Sequence, residues 1–297
     1  MNKKAKLKKN KNNYLRNLNY NQAIFFILFL IIIYIFNIVK SNINYFKSKI
    51  KPHIAKGTIA SVNQPLSSIR LPIFLYHYVE YVADQNDTIR KSLNIQPWVL
   101  EKQIQTLKDA GYNFITPSEA IQMLNGNIPL VIKPIILSFD DGYRDFYTDV
   151  FPIIKKEKVR AIVYIVPGFI DKINFMFRNQ LEEVADSSLI EIGAHTVNHV
   201  WLKGLEAHHI KKEIVESKLL LEDSIHRKVV SFAYPYGAFD DQISKIVKEA
   251  GFTSSVSTIS GIEATHLNKF YLFRLRPGNR IGKSLIDWLD QSVFYSW

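Results

Sequence analysis

The sequence of 297 residues contains no cysteine, which excludes disulfide bonds, thiolate metal sites and cysteine nucleophiles. Acidic residues are absent from the first 56 positions, which hold eleven lysines and one arginine. With these twelve subtracted from the 38 basic residues, 26 remain against 27 acidic ones, so the net charge of +11 belongs to the N-terminal segment. The rest of the chain lacks the basic face of a nucleic-acid-binding domain, and we expect no nucleic-acid partner.

Seventeen uncharged residues, AIFFILFLIIIYIFNIV at 23–39, follow the lysine-rich start. A run of about 17–25 apolar residues can span a bilayer. No small-residue cleavage motif follows it, which favours an uncleaved transmembrane signal anchor over a secretory signal, with a buried core helix as the alternative. The positive-inside rule then predicts a cytoplasmic tail at 1–22, a tether at 40–70 and an extracytoplasmic domain at 71–297 of a single-pass membrane protein.

Short apolar runs alternate with segments of helical spacing from residue 71 onward. The apolar runs predict strands at 71–79, 133–139, 159–166, 189–196, 229–237, 252–257 and 271–276. The helical spacing predicts helices at 97–111, 143–158, 206–228 and 240–250, the second of them interrupted near Pro152. This alternation favours an α/β domain whose mostly parallel sheet can close into a barrel, with its chemistry at the carboxyl ends of the strands.

Polar groups follow four of the predicted strands. Two adjacent carboxylates, Asp140 and Asp141, end one strand, and His195 ends another with His199 four residues later. One aspartate and two histidines form a common ligand set for catalytic zinc and for some iron sites. A cation on Asp141 would relieve the repulsion between the acids and leave Asp140 ionised as a base. The pattern therefore predicts a metal-dependent hydrolase of amides or esters.

Three motifs in chain order, SFDDGY, HTVNH and AYPYG, resemble those of the polysaccharide deacetylase family, also called carbohydrate esterase family 4. The resemblance extends from about residue 71 to the C-terminus. It implies a distorted (β/α) barrel, a divalent metal and the removal of acetyl groups from glycans. It also implies that Asp140 is the catalytic base, that Asp141, His195 and His199 bind the metal, and that the Tyr236 N–H holds the oxyanion.

The sequence departs from the family pattern at two places. Ala233 stands where the third motif has arginine, and the fourth and fifth motifs, which supply the general acid, are absent. A subgroup resembling the poly-β-1,6-N-acetylglucosamine deacetylases of biofilm matrices carries its acid histidine in an early Tyr-His pair, which here implies His77 as the acid. Its late-strand pattern resembles FRLR and implies that Arg274 orients Asp140, with Arg276 as the alternative.

The resulting prediction is a membrane-anchored deacetylase that acts on an acetylated glycan with zinc as its metal; cobalt, nickel and iron are alternatives. Deacetylases of peptidoglycan or of a capsular polymer would use the same chemistry. An inactive, membrane-tethered glycan-binding subunit is a further alternative, which metal content tests. A haloacid-dehalogenase-type phosphatase needs Asp-x-Asp, whereas the two acids here are adjacent. The sequence carries no prediction of the oligomeric state.

Overall fold

The structure is a computed structural model, described here over residues 64–84 and 86–292. These residues belong to the second of the two units into which the chain divides, Ile59–Trp297. The predicted cytoplasmic tail, the signal anchor at 23–39 and the tether up to residue 63 lie outside the described residues and stay predictions. No helix within the described ranges is both long and apolar enough to cross a bilayer.

Strands and helices alternate along the described chain. The strands are β1 (Ser68–Arg70), β2 (Ile73–Tyr76), β3 (Tyr78–Val79), β4 (Asn94–Ile95), β5 (Asn113–Phe114), β6 (Pro134–Phe139), β7 (Ala161–Ile165), β8 (Ile190–Ala194), β9 (Ser231–Ala233), β10 (Ser254–Val256) and β11 (Glu263–Thr265). The α-helices are α1 (Thr88–Leu93), α2 (Pro97–Asp109), α3 (Pro117–Leu124), α4 (Phe151–Glu157), α5 (Arg178–Asp186), α6 (Ala207–Ile225), α7 (Asp241–Glu249) and α8 (Gly282–Gln291). Single turns of other helix types occur at Phe146–Val150 (π), Pro167–Phe169 and Pro235–Gly237 (both 3₁₀).

A seven-stranded parallel sheet forms the centre of the unit. Its order is β10-β9-β8-β7-β6-β2, and β5 pairs with the start of β6. Because these strands are parallel, their carboxyl ends meet at the same edge, where the polar residues of the three motifs also lie. Outside this sheet, β1 pairs antiparallel with β11, and β3 pairs parallel with β4.

Residues 271–276, predicted as a strand, connect the two edges of this sheet without forming a regular strand. Leu272 forms a parallel bridge with Val256 of β10, and Leu275 forms one with Phe74 of β2. Backbone hydrogen bonds of 2.8–2.9 Å accompany both bridges. The segment therefore lies between the first and the last strand of the sheet order, which is consistent with the expected (β/α) fold.

Two apolar clusters cover the opposite faces of the sheet. Val163 of β7 packs into the larger one, together with Leu100 and Leu107 of α2. Ile162 and Tyr164, its neighbours on the same strand, belong to the smaller cluster, because successive side chains of a strand point to opposite faces. Strands buried on both faces are apolar throughout, which explains why the central strands were readable as continuous hydrophobic runs.

The apolar run at 71–79 forms two strands rather than the one predicted. β2 pairs with β6, whereas β3 pairs with β4, so the chain changes its pairing partner at His77. β1 pairs with β11, and the folded region therefore begins before Leu71, within the segment assigned to the tether. Short strands such as β1 carry too few residues for a periodic signal.

The helix predicted at 143–158 begins later and is continuous at the proline. A π-helical turn, Phe146–Val150, leads directly into α4, and Pro152 occupies the first turn of that helix. The chain stays helical through Pro152, so the predicted interruption is wrong. The hydrogen-bond pattern changes from π to α just before the proline, which has no N–H to donate.

Candidate metal centre at the carboxyl edge of the sheet

The polar residues singled out by the sequence meet at the carboxyl edge of the parallel sheet. Asp140 and Asp141 follow β6 directly, and His195 follows β8. β6 and β8 are separated in the sheet only by β7. The edge also carries the residue after β2, His77, and the turn after β9, which contains Tyr236. Topology thus brings groups from four distant parts of the sequence to one place.

Asp141, His195 and His199 form the candidate metal centre. Asp141 Oδ1 lies 3.4 Å from His195 Nε2 and 3.2 Å from His199 Nε2. One ligand atom from each of the three residues lies within 4.8 Å of the others. Asp141 and His195 are buried, so water cannot screen the carboxylate charge.

The donor atoms of this centre fit a divalent cation. Asp141 Oδ1 is buried and has no hydrogen-bond partner in the described part of the chain. His195 Nδ1 lies 2.7 Å from Ala233 O, and a carbonyl can only accept, so Nδ1 carries the proton and Nε2 offers its lone pair toward Asp141. Two acceptor atoms that face each other across 3.4 Å, Asp141 Oδ1 and His195 Nε2, are the arrangement expected around an ion with ligand distances of about 2.1 Å. A cation would satisfy both of them.

Asp140 is held in a different way, by a buried guanidinium. Arg274 donates to both carboxylate oxygens of Asp140, with Nη1–Oδ1 at 2.7 Å and Nη2–Oδ2 at 2.8 Å. The same guanidinium also donates to Ser138 Oγ and to Ser257 O. Arg276, the alternative partner, is exposed and makes no ion pair within the described residues. The structure therefore places Arg274, rather than Arg276, on Asp140.

Burial and neighbouring charges set the protonation states at this edge. Burial by itself raises the pKa of Asp140, but the charge and hydrogen bonds of Arg274 and the nearby His195 reverse the effect, and the pKa lies below its ordinary value. Burial lowers the pKa of His77, and the charges of Asp140 and Asp141 offset only part of this. At neutral pH the site thus holds an ionised carboxylate next to a neutral imidazole.

Backbone strain concentrates at the centre. Eight non-glycine residues of the described chain have positive φ angles, and four of them lie here. Their φ values are 77° at Asp141, 61° at Thr196, 54° at His199 and 58° at Tyr236. Each such conformation costs about 1–3 kcal/mol and persists only where the surroundings enforce it, typically at functional sites.

Glu213 of α6 enforces the conformation of the histidine loop. Its Oε2 accepts the backbone N–H groups of Val197 at 2.9 Å and Asn198 at 3.0 Å, and its Oε1 accepts the Asn198 amide at 2.8 Å. The loop between His195 and His199 is therefore fixed at its middle by one side chain. Sequence reasoning missed Glu213, because it lies 14 residues after the motif in a helix with no signal of its own.

A second carboxylate ties the start of the π-helical turn to the segment after His77. Asp145 Oδ2 accepts the Val79 N–H at 2.5 Å, while Asp145 Oδ1 is buried without a hydrogen-bond partner in the described residues. Burial raises the pKa of Asp145 to about 7, and the charges of Glu80 and Asp149 add to the rise. Asp145 was also missed, although it stands four residues after Asp141.

Comparison with known proteins bears on the same segment. The family model described as polysaccharide deacetylase matches residues 129–255, which contain all three motifs and the candidate metal centre. Residues 129–255 thus match the polysaccharide deacetylase family, in agreement with the resemblance of the three motifs. The chain is accordingly a metal-dependent hydrolase of the type that cleaves N-acetyl amide bonds.

Relatives and a solved structure agree with this match. YxkH of Bacillus subtilis, whose name places it among the polysaccharide deacetylases, is 29% identical over 70% of this chain and 72% of its own length. A poly-beta-1,6-N-acetyl-D-glucosamine N-deacetylase of Staphylococcus aureus is 24% identical over 70% of this chain and 75% of its own. The structure of the Streptococcus pyogenes deacetylase PplD, determined with acetate, covers 75% of this chain and 98% of its own with 27% identity and a TM-score of 0.68.

Proposed function

We propose that this deacetylase removes acetyl groups from N-acetylglucosamine residues of an extracellular glycan, with poly-β-1,6-N-acetylglucosamine as the polymer. The observation that carries the proposal is the buried Oδ1 of Asp141, which has no hydrogen-bond partner among the described residues. It faces two imidazoles and stands next to a carboxylate already neutralised by Arg274. The similarity to the Staphylococcus aureus enzyme and the Tyr-His pair at 76–77 support the choice of polymer.

In this proposal Asp141, His195 and His199 hold the divalent metal, which we take to be zinc, with cobalt, nickel or iron as alternatives. When bound, such an ion supplies Lewis acidity, which polarises an acetyl carbonyl and lowers the pKa of water. The chain contributes the neutral tautomer of His195, fixed by its Nδ1–H donation to Ala233 O. It also contributes a carboxylate that burial and strain hold in place.

Asp140 is proposed as the general base. Arg274 keeps it ionised and fixes the plane of its carboxylate, while each oxygen retains a second lone pair. As water adds to the acetyl carbon, a C–O bond forms and Asp140 accepts the proton that the water loses. The low pKa makes Asp140 a weak base, so its contribution is mainly positional.

His77 is proposed to deliver a proton to the leaving nitrogen as the C–N bond breaks, which releases acetate and a free amine. Because burial lowers the pKa of His77, its imidazole is neutral before the reaction and must first gain a proton. The proton taken from water by Asp140 supplies it, so proton number balances over the turnover. The Tyr236 N–H is proposed to donate to the developing oxyanion.

We also propose that residues 23–39 anchor the chain in the cell membrane, with 1–22 in the cytoplasm and the deacetylase unit outside. The apolar run and the lysines before it support this arrangement. In intact cells, protease added from outside should cleave the deacetylase unit and spare a tag placed at the N-terminus. A tag that is cleaved while the unit is protected would reverse the orientation.

The test of the activity is acetate release by the full-length chain from β-1,6-linked and β-1,4-linked N-acetylglucosamine oligomers. We expect release from the β-1,6-linked oligomer, loss of release after chelation, and recovery when zinc is restored. The Asp140→Asn chain is the matched negative control. Release from the β-1,4-linked oligomer alone would reassign the substrate to a peptidoglycan-like polymer. Release that continues at full rate after metal removal would contradict the mechanism.

A further inference from the structure

Two exposed aromatic rings extend outward from the candidate metal centre. Trp201 is 54% exposed and Tyr236 is 60% exposed, although large apolar side chains usually find cover. Their ring centroids lie 5.8 Å apart with planes inclined by 36°. The Tyr236 ring in turn lies 4.7 Å from the His199 ring. A continuous aromatic surface therefore leads from one proposed metal ligand to the protein exterior.

The chain positions both rings rather than leaving them on loose loops. Leu202, the residue after Trp201, is fully buried. Pro235, the residue before Tyr236, is also buried, and Tyr236 itself is held at a φ of 58° in the turn that follows β9. The buried neighbours Leu202 and Pro235 hold the backbone in place, while the faces of the two aromatic rings stay exposed to solvent.

The two rings offer a neutral surface. Within the described residues, neither ring lies under a cationic side chain, whereas Arg90 covers Tyr78 and Arg144 covers Phe177. An aromatic face is weakly negative, and it attracts the weakly positive C–H groups on the face of a pyranose ring. A polymer of neutral sugars fits such a surface better than an anion or a cation does.

We propose that Trp201 and Tyr236 form a sugar-binding subsite that stacks a pyranose ring next to the residue being deacetylated. The proposal rests on the proposed function, because it places the glycan chain beside the acetyl group at the metal centre. It makes Trp201 a determinant of chain-length preference. A single sugar that occupies only the centre does not reach the subsite, whereas a longer oligomer does.

The test compares Trp201→Ala, Trp201→Phe and the matched control Trp98→Ala in the full-length chain. Trp98 is 47% exposed, and its indole N–H donates to Gln96 rather than to any residue of the centre. KM and kcat are measured on the N-acetylglucosamine monomer and on the β-1,6-linked pentamer. We expect Trp201→Ala to raise KM for the pentamer about 10–100-fold, the range for losing one stacking partner, with kcat changed far less. Trp201→Phe should keep most of the preference for the pentamer over the monomer, and Trp98→Ala should keep all of it.

Several outcomes would overturn the subsite. An unchanged KM for the pentamer in Trp201→Ala would contradict the subsite. Equal losses of kcat/KM on monomer and pentamer would show damage to the metal centre instead. Loss of binding to phosphatidylglycerol vesicles with an unchanged pentamer KM would assign the rings to the membrane surface.

Failure of the proposed function has a different signature, because wild type would then release no acetate from any oligomer. In that event, equilibrium binding of a fluorescent pentamer by the Asp140→Asn chain, with and without Trp201→Ala, still tests the rings. Binding that weakens with Trp201→Ala supports the subsite, and equal binding by the two chains contradicts it.

Discussion

The Asp140 side and the Asp141 side of the centre satisfy their charges in opposite ways. Both residues end the same strand, and both are buried. Asp140 receives two hydrogen bonds from a guanidinium of its own chain. Asp141 Oδ1 receives none from the residues that the structure describes, and it faces two imidazole nitrogens. A buried carboxylate needs compensation. On the Asp141 side the two imidazoles could supply it only when protonated, whereas a divalent cation would supply it with both imidazoles neutral.

This difference explains how two acids can stand side by side. Two ionised carboxylates on adjacent buried residues would repel each other, and one of them would take up a proton. A cation on each side removes the conflict: Arg274 is the permanent one, and the proposed metal is the exchangeable one. We therefore expect changes at the Asp140–Arg274 pair to alter the stability of the fold, and changes at Asp141 to alter metal binding.

Removing the permanent cation should have the largest effect on stability. Arg274→Met keeps the approximate volume but leaves Asp140 as an unpaired buried charge, which costs about 3–5 kcal/mol in the free energy of unfolding. Urea denaturation at pH 7 measures it. Arg276→Met is the matched control and should change stability by less than about 0.5 kcal/mol, because Arg276 is exposed.

A second variant sharpens this result. Adding Asp140→Asn to Arg274→Met removes the stranded charge, so the double variant should recover part of the lost stability. Equal stability of the Arg274→Met and Arg276→Met chains would show that the pair at Asp140 is not a structural cation–carboxylate unit.

Removing the base should separate turnover from metal binding. Asp140→Asn keeps the shape of the side chain but cannot accept a proton, so kcat should fall about 10²–10⁴-fold. Its metal content, measured by elemental analysis, should stay at the wild-type level, whereas Asp141→Asn should lose the metal. Loss of the metal from Asp140→Asn, or wild-type turnover by this variant, would contradict the separate roles of Asp140 as base and Asp141 as metal ligand.

Loosening the histidine loop should weaken metal binding without removing a ligand. Glu213→Ala deletes the acceptor of three hydrogen bonds to the loop between His195 and His199. We expect the metal Kd to rise about 10–100-fold in competition with a chelator of known affinity. Glu213→Gln retains one oxygen for the two backbone N–H groups and should restore most of the affinity. Glu216→Ala, three residues later on the same helix and exposed, is the control; an equal Kd in all three would refute the role of Glu213.

The pH dependence of stability tests the buried carboxyl of Asp145, which lies outside both sides of the centre. The pKa of Asp145 is about 7 in the folded protein and about 4 in an unfolded chain. The stability that this carboxyl contributes is therefore complete below pH 4 and lost as the pH rises through 7. Asp145→Asn cannot ionise, so relative to wild type it should gain up to about 4 kcal/mol between pH 4 and pH 8, since each of the three pKa units corresponds to about 1.4 kcal/mol. Asp223→Asn, an exposed control, should run parallel to wild type; a parallel profile for Asp145→Asn would contradict the raised pKa.

Local sequence signals were enough to single out the residues of the candidate metal centre. Asp140 and Asp141 interrupt an apolar run, and His195 ends another, so a reader of the sequence finds them at strand ends without knowing the fold. The alternation of strands and helices also predicted the mostly parallel sheet. The boundaries of short elements such as β1 and β3 were not predicted, because two or three residues are too few to show a hydrophobic periodicity.

Other features depend on contacts between distant parts of the chain. Arg274 and Arg276 are two positions apart in the same short motif, so the sequence does not tell which of them is buried; the contacts of Arg274 with other parts of the chain do. Glu213 and Asp145 accept hydrogen bonds from backbone N–H groups. Every residue except proline has such a group, so the sequence does not reveal these contacts. The positive φ angles at Thr196 and His199 likewise leave no trace in residue type.

The metal content of the full-length chain tests the central claim most directly. Wild type and Asp140→Asn, loaded with zinc and freed of excess by gel filtration, should each retain about one ion per chain by elemental analysis. The His195→Ala/His199→Ala chain should retain less than about a tenth of that, while its circular dichroism spectrum stays that of a folded protein. Retention of a full ion by the double histidine variant, or of none by wild type, would contradict the assignment of Asp141, His195 and His199 as the metal centre.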